Sequence, residues 1–348
     1  MQTIRLSGKI NGTEDPNREI RAQMLYALFA TGWNIQNSNG DEDITLNNIE
    51  EKIIAANAFM FMPDPTLQDI FKAISIFVGY QTLDPNLSDK PTVILDTNQS
   101  WQSLFSLLAS LKKLGTIDQD YNEYLLQAGS TQTALQYLKH SNHNGIPAVG
   151  REKINAATSQ SFSLKKPSTI KKNVCVFCSA SIKDQDYLDE GYALGELLAQ
   201  SNIGCISGAG KTGVMGAVVQ GCVDAKGWAA GSNVPHIIEL EGLPQGLSEF
   251  WLRDDIYTRM EVMIEKSDGF IIFPGGSGTV QEMLALLIFK NMGDALMKDK
   301  PVVIYNKPLN LAKTQGFWDE LITLLAPWDD GKCFTVVDNI NDAVRLAY

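Results

Sequence analysis

Cysteine and histidine are scarce in this chain. Five cysteines are spread over 348 residues. The number is odd and the settings are apolar, so no disulfide framework is expected and the thiols read as reduced. Cys175 and Cys178 form a CxxC within the strand-like run VCVFCSAS. Residues three apart on a strand face opposite sides, and no second CxxC completes a tetrahedral zinc site. Of the three histidines, His140 and His143 sit in a polar stretch and read as solvated surface. No metal and no redox cofactor is therefore expected. Positive charge is also short. Lys and Arg number 29 against 40 Asp and Glu, a net charge of −11. That balance excludes a general binder of nucleic acid or anionic membrane, though not a small local phosphate site. No apolar run reaches the length of a membrane span. The opening residues, MQTIRLSGKINGTEDPNREI, hold no apolar core of signal-peptide length. A cytoplasmic protein with no membrane and no nucleic-acid partner is the expectation. A Walker loop and a GxGxxG dinucleotide turn are missing too.

What is present centres on Gly269 to Leu287, GFIIFPGGSGTVQEMLALL. Phe270 to Phe273 read as a buried strand of a parallel sheet covered on both faces. Pro274 to Gly278 form a glycine-rich turn, and a helix is expected from Thr279 onward. Gly275, Gly276 and Gly278 allow a sharp turn and close backbone approach to a ligand. With Ser277 and Thr279 they face the free N–H groups and positive dipole end of the helix, an anion site best suited to phosphate. Glu282 falls about one turn into that helix, so its carboxylate is placed beside whatever the turn holds.

The length suits two domains, and 44% apolar and 20% charged residues are those of a globular protein. Strand and helix patterns alternate from Thr3 to His140, which calls for a parallel α/β sheet with right-handed crossovers. From Asn142 to Lys172 Ser, Lys, Asn and Gln dominate, and residues 143–172 read as a linker. Then the pattern restarts. AANAFMFMPDPTLQDIFKAISIF (Ala55 to Phe77) parallels EKSDGFIIFPGGSGTVQEMLALLIF (Glu265 to Phe289), and DKPTVILD (Asp89 to Asp96) parallels DKPVVIYN (Asp299 to Asn306). The reading is a tandem pair of doubly wound, Rossmann-like domains, residues 1–142 and 173–348. In the first, Pro63-Asp64-Pro65 replaces the glycines; it removes backbone donors and sets a negative charge where the anion would lie. That copy reads as non-catalytic, a scaffold or a regulatory site.

As it stands, PGGSGTVQE resembles the PGGxGTxxE signature of the LONELY GUY (LOG) family, nucleoside 5′-monophosphate phosphoribohydrolases often labelled lysine decarboxylases. The family also shows a glycine-rich turn that Gly213 to Gly216 (GVMG) resembles. An Arg in a Met-His-x-Arg-Lys motif upstream is matched by Arg259 in IYTRM, with Tyr257 and Met260 replacing the His and Lys. The resemblance implies catalytic roles for Arg259 and Glu282. It implies substrate contacts from the turn Gly275 to Thr279, and from Ser179, Gly208, Gly210, Met215 and Glu239. Lys211, in GAGKT, reads as a surface or pocket-rim charge. The implied reaction is hydrolysis of a nucleoside monophosphate to free base and ribose 5-phosphate, with no cofactor. A lysine decarboxylase would need a pyridoxal-phosphate lysine and its pocket, and nothing in the sequence supports one. LOG-type domains pair, so a homodimer is expected. The same turn also resembles molybdenum-cofactor carrier proteins, which bind a phosphorylated pterin without turning it over; a nucleotide sensor related to DNA-processing proteins is a third reading.

Overall fold

The computed structural model describes residues 2–8, 17–38, 55–82, 84, 90–117, 120–140, 160–308 and 315–348. His143, residues 49–54 of a helix that the sequence places over Ile49 to Ala56, and residues 143–159 of the expected linker lie outside them. Contacts divide the chain into two compact units. One comprises Met1–Lys112 with Asp118–Val149; the other comprises Lys113–Ile117 with Gly150–Tyr348.

The first unit holds β1 (Thr3–Ser7), β2 (Asn34–Ser38), β3 (Ala58–Phe61), β4 (Thr92–Leu95) and β5 (Leu125–Ala128). They form one parallel sheet in the order β2-β1-β3-β4-β5. Every residue of β3 and β4 is buried, as a sheet covered on both faces requires. Ile4, Leu6, Met60 and Val93 form one core cluster with Met24 and Leu28 of the helix Arg18–Ala30.

The second unit holds β6 (Phe162–Ser163), β7 (Lys172–Phe177), β8 (Ile203–Ser207), β9 (Ala229–Asn233), β10 (Glu249–Leu252), β11 (Gly269–Ile272), β12 (Val302–Tyr305) and β13 (Thr335–Val337). Their order is β13-β12-β11-β7-β8-β9-β10-β6. Only β6 runs antiparallel among the described strands, against β10. It falls within the polar segment expected to be a linker. Phe162 lies 6.1 Å, centroid to centroid, from Phe250 of β10, so one aromatic contact and an open sheet edge suffice to hold it. Leaving out β6, β9 and β10, the run β8-β7-β11-β12-β13 has the same order and direction as β2-β1-β3-β4-β5. The added strands β9 and β10 come from the long stretch between Gly210 and Ser267, and no strand matches them among the described residues of the first unit. Among the described residues no helix is long and apolar enough to cross a membrane.

The helices Gln185–Gln200 and Gly213–Asp224 pack against each other through glycine. A Cβ on Gly195 would lie 1.9 Å from the Val218 carbonyl oxygen, and one on Gly221 would lie 2.0 Å from that of Tyr192. The two backbones therefore touch, which fixes the loop between β8 and its helix. Gly195→Ala forces them apart and is expected to cost about 1–3 kcal/mol, the usual penalty of overpacking. Urea unfolding would show it as a lower midpoint with unchanged slope; an unchanged midpoint would refute the contact.

Candidate active site

β11 lies between β7 and β12 with all four residues buried. The chain leaves it at Phe273, turns through Pro274 and Gly275, and enters the helix Ser277–Asn291 with Gly276 as N-cap. The helix thus begins two residues before Thr279, where the sequence had placed its start. Gly276 offers no side-chain cap, so the first-turn N–H groups are not closed off by the capping residue. Thr279 falls inside the first turn and folds back: a Cβ on Gly275 would lie 2.1 Å from its Oγ1. At Gly278 a Cβ would meet nothing within 4 Å, so that glycine borders open space.

The carboxyl edges of β7 and β8 face this turn. Ser179 follows β7 and is buried. Its N–H donates to the Pro274 carbonyl at 3.2 Å, and its own carbonyl accepts from Met215 N–H at 2.9 Å. Its hydroxyl lies 2.9 Å from that of Ser181. After Ser207, the last residue of β8, comes the loop Gly208-Ala209-Gly210, in which Ala209 adopts a left-handed φ of 54°, an uncommon conformation for a residue with a side chain. Met215 holds this loop through its Sδ, which accepts from the Gly210 N–H at 3.0 Å. Lys211 is exposed at the rim.

Arg259 projects from the helix Ile256–Lys266, whose N-cap Asp255 accepts from the N–H groups of Tyr257 and Thr258. Its guanidinium is pinned at two points: Nε donates to the Ser232 carbonyl at 2.9 Å, and Nη2 donates to the Gly208 carbonyl at 3.2 Å. The remaining nitrogen, Nη1, lies 3.8 Å from Glu282 Oε1, with the two side chains 12% and 7% exposed. Arg259 is therefore aimed at Glu282 and not at Asp255 or Glu261. A Cβ at Gly208 would lie 2.0 Å from Arg259 Nη2, so a side chain there would displace the guanidinium from this position.

Gly210 is paired in the same way with a residue the sequence reading passed over. A Cβ at Gly210 would lie 2.6 Å from Glu241 Oε2. Glu241 ends the helix Pro235–Glu241, two residues beyond Glu239. Two residues on a helix are about 200° apart, so it is Glu241 and not Glu239 that faces the loop. The run IIELEG holds both, and only the helix phase distinguishes them. Burial pushes the Glu282 carboxyl up to about 8; Arg259 opposes the shift, and the charge of Glu241 adds to it. Burial, with the charge of Glu282, also holds the Cys175 and Cys178 thiols well above their ordinary value. Glu282 thus keeps its proton at neutral pH inside a site that also contains a second carboxylate and a pinned guanidinium.

The corresponding turn of the first unit is built differently. There the helix Leu67–Gln81 starts from N-cap Thr66, whose side chain accepts from the Asp69 N–H while the Asp69 carboxylate accepts from the Thr66 N–H at 2.9 Å and hydroxyl at 2.8 Å. This capping box uses the carboxylate that aligns with Glu282. Asp64 fills the turn: its N–H donates to Ser100 Oγ at 2.8 Å, and its carboxylate accepts from Asn98 at 2.8 Å and from Asn17.

Comparison with known proteins adds the following. The family model described as "possible lysine decarboxylase" matches residues 215–344. A protein of Arabidopsis thaliana named as a probable cytokinin riboside 5′-monophosphate phosphoribohydrolase is 31% identical over 163 residues, 46% of this chain and 76% of the relative. One of the same description from Oryza sativa is 28% identical over 44% of this chain and 58% of its own length. Among solved structures, a molybdenum cofactor binding protein from Rippkaea orientalis superposes with a TM-score of 0.40 at 20% identity, over 51% of this chain and 94% of its own. On the sequence likeness the chain belongs to the LONELY GUY family.

Proposed function

We propose that the chain hydrolyses the N-glycosidic bond of nucleoside 5′-monophosphates, releasing free base and ribose 5-phosphate. The observation that carries this reading is the buried Arg259–Glu282 contact beside an uncapped, glycine-built helix N-terminus. A phosphate accepted by the N–H groups of Gly275 to Thr279 is held at the positive end of the helix. The sugar is then fixed against the carboxyl groups, and bimolecular attack by water becomes a positioned one. The phosphoribohydrolase names of the relatives agree with this chemistry.

The bond breaks as the base departs with the bonding electron pair, leaving an oxocarbenium-like sugar. Water adds its hydroxyl to C1′, the base gains a proton from a carboxyl donor, and the remaining proton of the water restores that donor. Glu282, protonated at neutral pH, is the donor suited to the leaving base. Glu241 supplies the negative charge that steadies the cationic sugar or orients the water. Arg259 does not exchange protons near neutral pH. It acts by charge, on the phosphate or on the base as electrons collect there. In the first unit the equivalent carboxylate is spent on a cap and the turn is filled by Asp64, which supports reading that unit as a non-catalytic copy of the same domain. The active form is proposed to be a homodimer, since LOG-type domains pair.

Incubation with a panel of nucleoside monophosphates is expected to release free base and ribose 5-phosphate. Glu282→Gln keeps the shape of the side chain and removes the proton donor, so turnover should fall at least about a hundredfold. Near-normal turnover in that variant would sink the mechanism. The wild-type kcat/KM should be level around neutral pH and fall above about 8, as Glu282 ionises. A rate that rises through that pH would make Glu282 a base and reverse the assignment. Light scattering at micromolar concentration should give twice the mass of one chain; the mass of a single chain would refute the dimer.

A further inference from the structure

The glycine turn touches a segment that lies far from it in sequence and outside the matched residues 215–344. Lys113–Ile117 follows the helix Gln102–Lys113, yet by its contacts it belongs to the second unit. Gly115, at φ 70°, turns the chain out of that helix. Thr116 and Ile117 are then 5% and 4% exposed, which is unusual for two residues between helices. The Thr116 carbonyl oxygen accepts from Ser181 Oγ at 3.3 Å, and Ser181 is bonded in turn to Ser179. The same oxygen lies 2.7 Å from where a Cβ on Gly276 would be, and Ile117 Cγ2 lies 3.9 Å from that point. Gly276 is therefore the side of the turn on which this strap rests, while Gly278 is the side left open.

We infer that Thr116 and Ile117 form a wall of the phosphate site and act as positioning residues, holding the turn Pro274–Gly278 in the shape that presents its N–H groups to a phosphomonoester. The shape of the turn is otherwise weakly determined. Three of its five residues are glycine, which gives up the most conformational freedom on ordering. It also has no side-chain cap at its helix end. The buried Thr116 carbonyl, which stands where a side chain at Gly276 would go, and Ile117 beside it restrict that freedom from outside. The wall stands on the flank away from Gly278, so it orders the turn without standing in the open side. The inference rests on the phosphoribohydrolase reading for the identity of the ligand, but not for the contact itself.

The test uses the full chain and the variants Ile117→Ala and Ser181→Ala. One removes the buried side chain beside Gly276, the other the donor to the Thr116 carbonyl. Affinity for ribose 5-phosphate is measured by calorimetry, KM and kcat with a nucleoside monophosphate, and the melting temperature as a check on folding. Each variant is expected to stay folded, to bind ribose 5-phosphate about tenfold more weakly, a loss of about 1.4 kcal/mol, and to show a matching rise in KM with kcat within about twofold, the pattern of lost uniform binding. The double variant should bind little worse than either single one, because both loosen the same wall. Unchanged affinity in folded variants overturns the proposal. Tighter binding does so too, since it would make the segment an obstruction. Wild-type protein that binds ribose 5-phosphate but releases no base would defeat the hydrolase reading alone, and the binding comparison would still decide on the wall.

Discussion

The site depends on one burial: a carboxyl group placed out of water beside a guanidinium that has already been pinned. Arg259 is fixed by two backbone carbonyls, from β9 and from the loop after β8. Only its third nitrogen is turned toward Glu282. A guanidinium so held cannot swing into a tight bidentate pair, and the 3.8 Å separation reflects that. Burial outweighs the attraction, and the carboxyl holds its proton. Neighbouring features follow from the same requirement. Gly208 and Gly210 leave space for Arg259 and Glu241, and the glycine-mediated packing of two helices holds the loop that carries them.

The two units differ in what the carboxylate near the start of the helix is bonded to. TLQD and TVQE align residue for residue, but their helices begin at different points. In the first unit the N-cap is Thr66 and Asp69 is the third helical residue, in reach of its own cap. In the second the N-cap is Gly276, three residues ahead of Thr279. Glu282 is thereby carried a full turn deeper, too far from the helix end to cap it. The glycine turn therefore does more than reverse the chain. It lengthens the helix backwards, leaves it without a side-chain cap, and leaves the carboxylate facing Arg259. Replacing it by Pro63-Asp64-Pro65 undoes all three, because Asp64 ties the turn to Asn17, Asn98 and Ser100.

Much of this was legible in the sequence. The strands with continuous apolar runs, β3, β4, β11 and β12, fall where the runs of Val, Ile and Phe place them. The residues of the glycine turn, Arg259 and Glu282 are gathered in one place, as the motif implies. What escaped was carried by weaker signals. β9 is AAGSN and β10 is EFWL; small or mixed residues become a strand there only because neighbouring strands present an edge. β13 has no buried residue, and β6 is two residues within a polar stretch. Glu241 escaped because helix phase, not residue type, sets it apart from Glu239. The strap at Thr116 escaped because its contact with Gly276 spans a separation no local pattern records.

Holding Glu282 neutral carries a stability cost with a definite direction. Its folded-state pKa of about 8 exceeds the usual carboxylate value of 4.5. Below the lower value both folded and unfolded chains are protonated there and the group costs nothing. As pH rises between the two values, the unfolded chain gains by ionising while the folded one does not. Near neutral pH the site therefore draws on the stability of the surrounding sheet by up to several kcal/mol, a large share of what a domain of this size has to spare. β11 and its helix are buried along almost their whole length, and a core so dense around one helix is what allows a proton to be kept where the solvent would remove it.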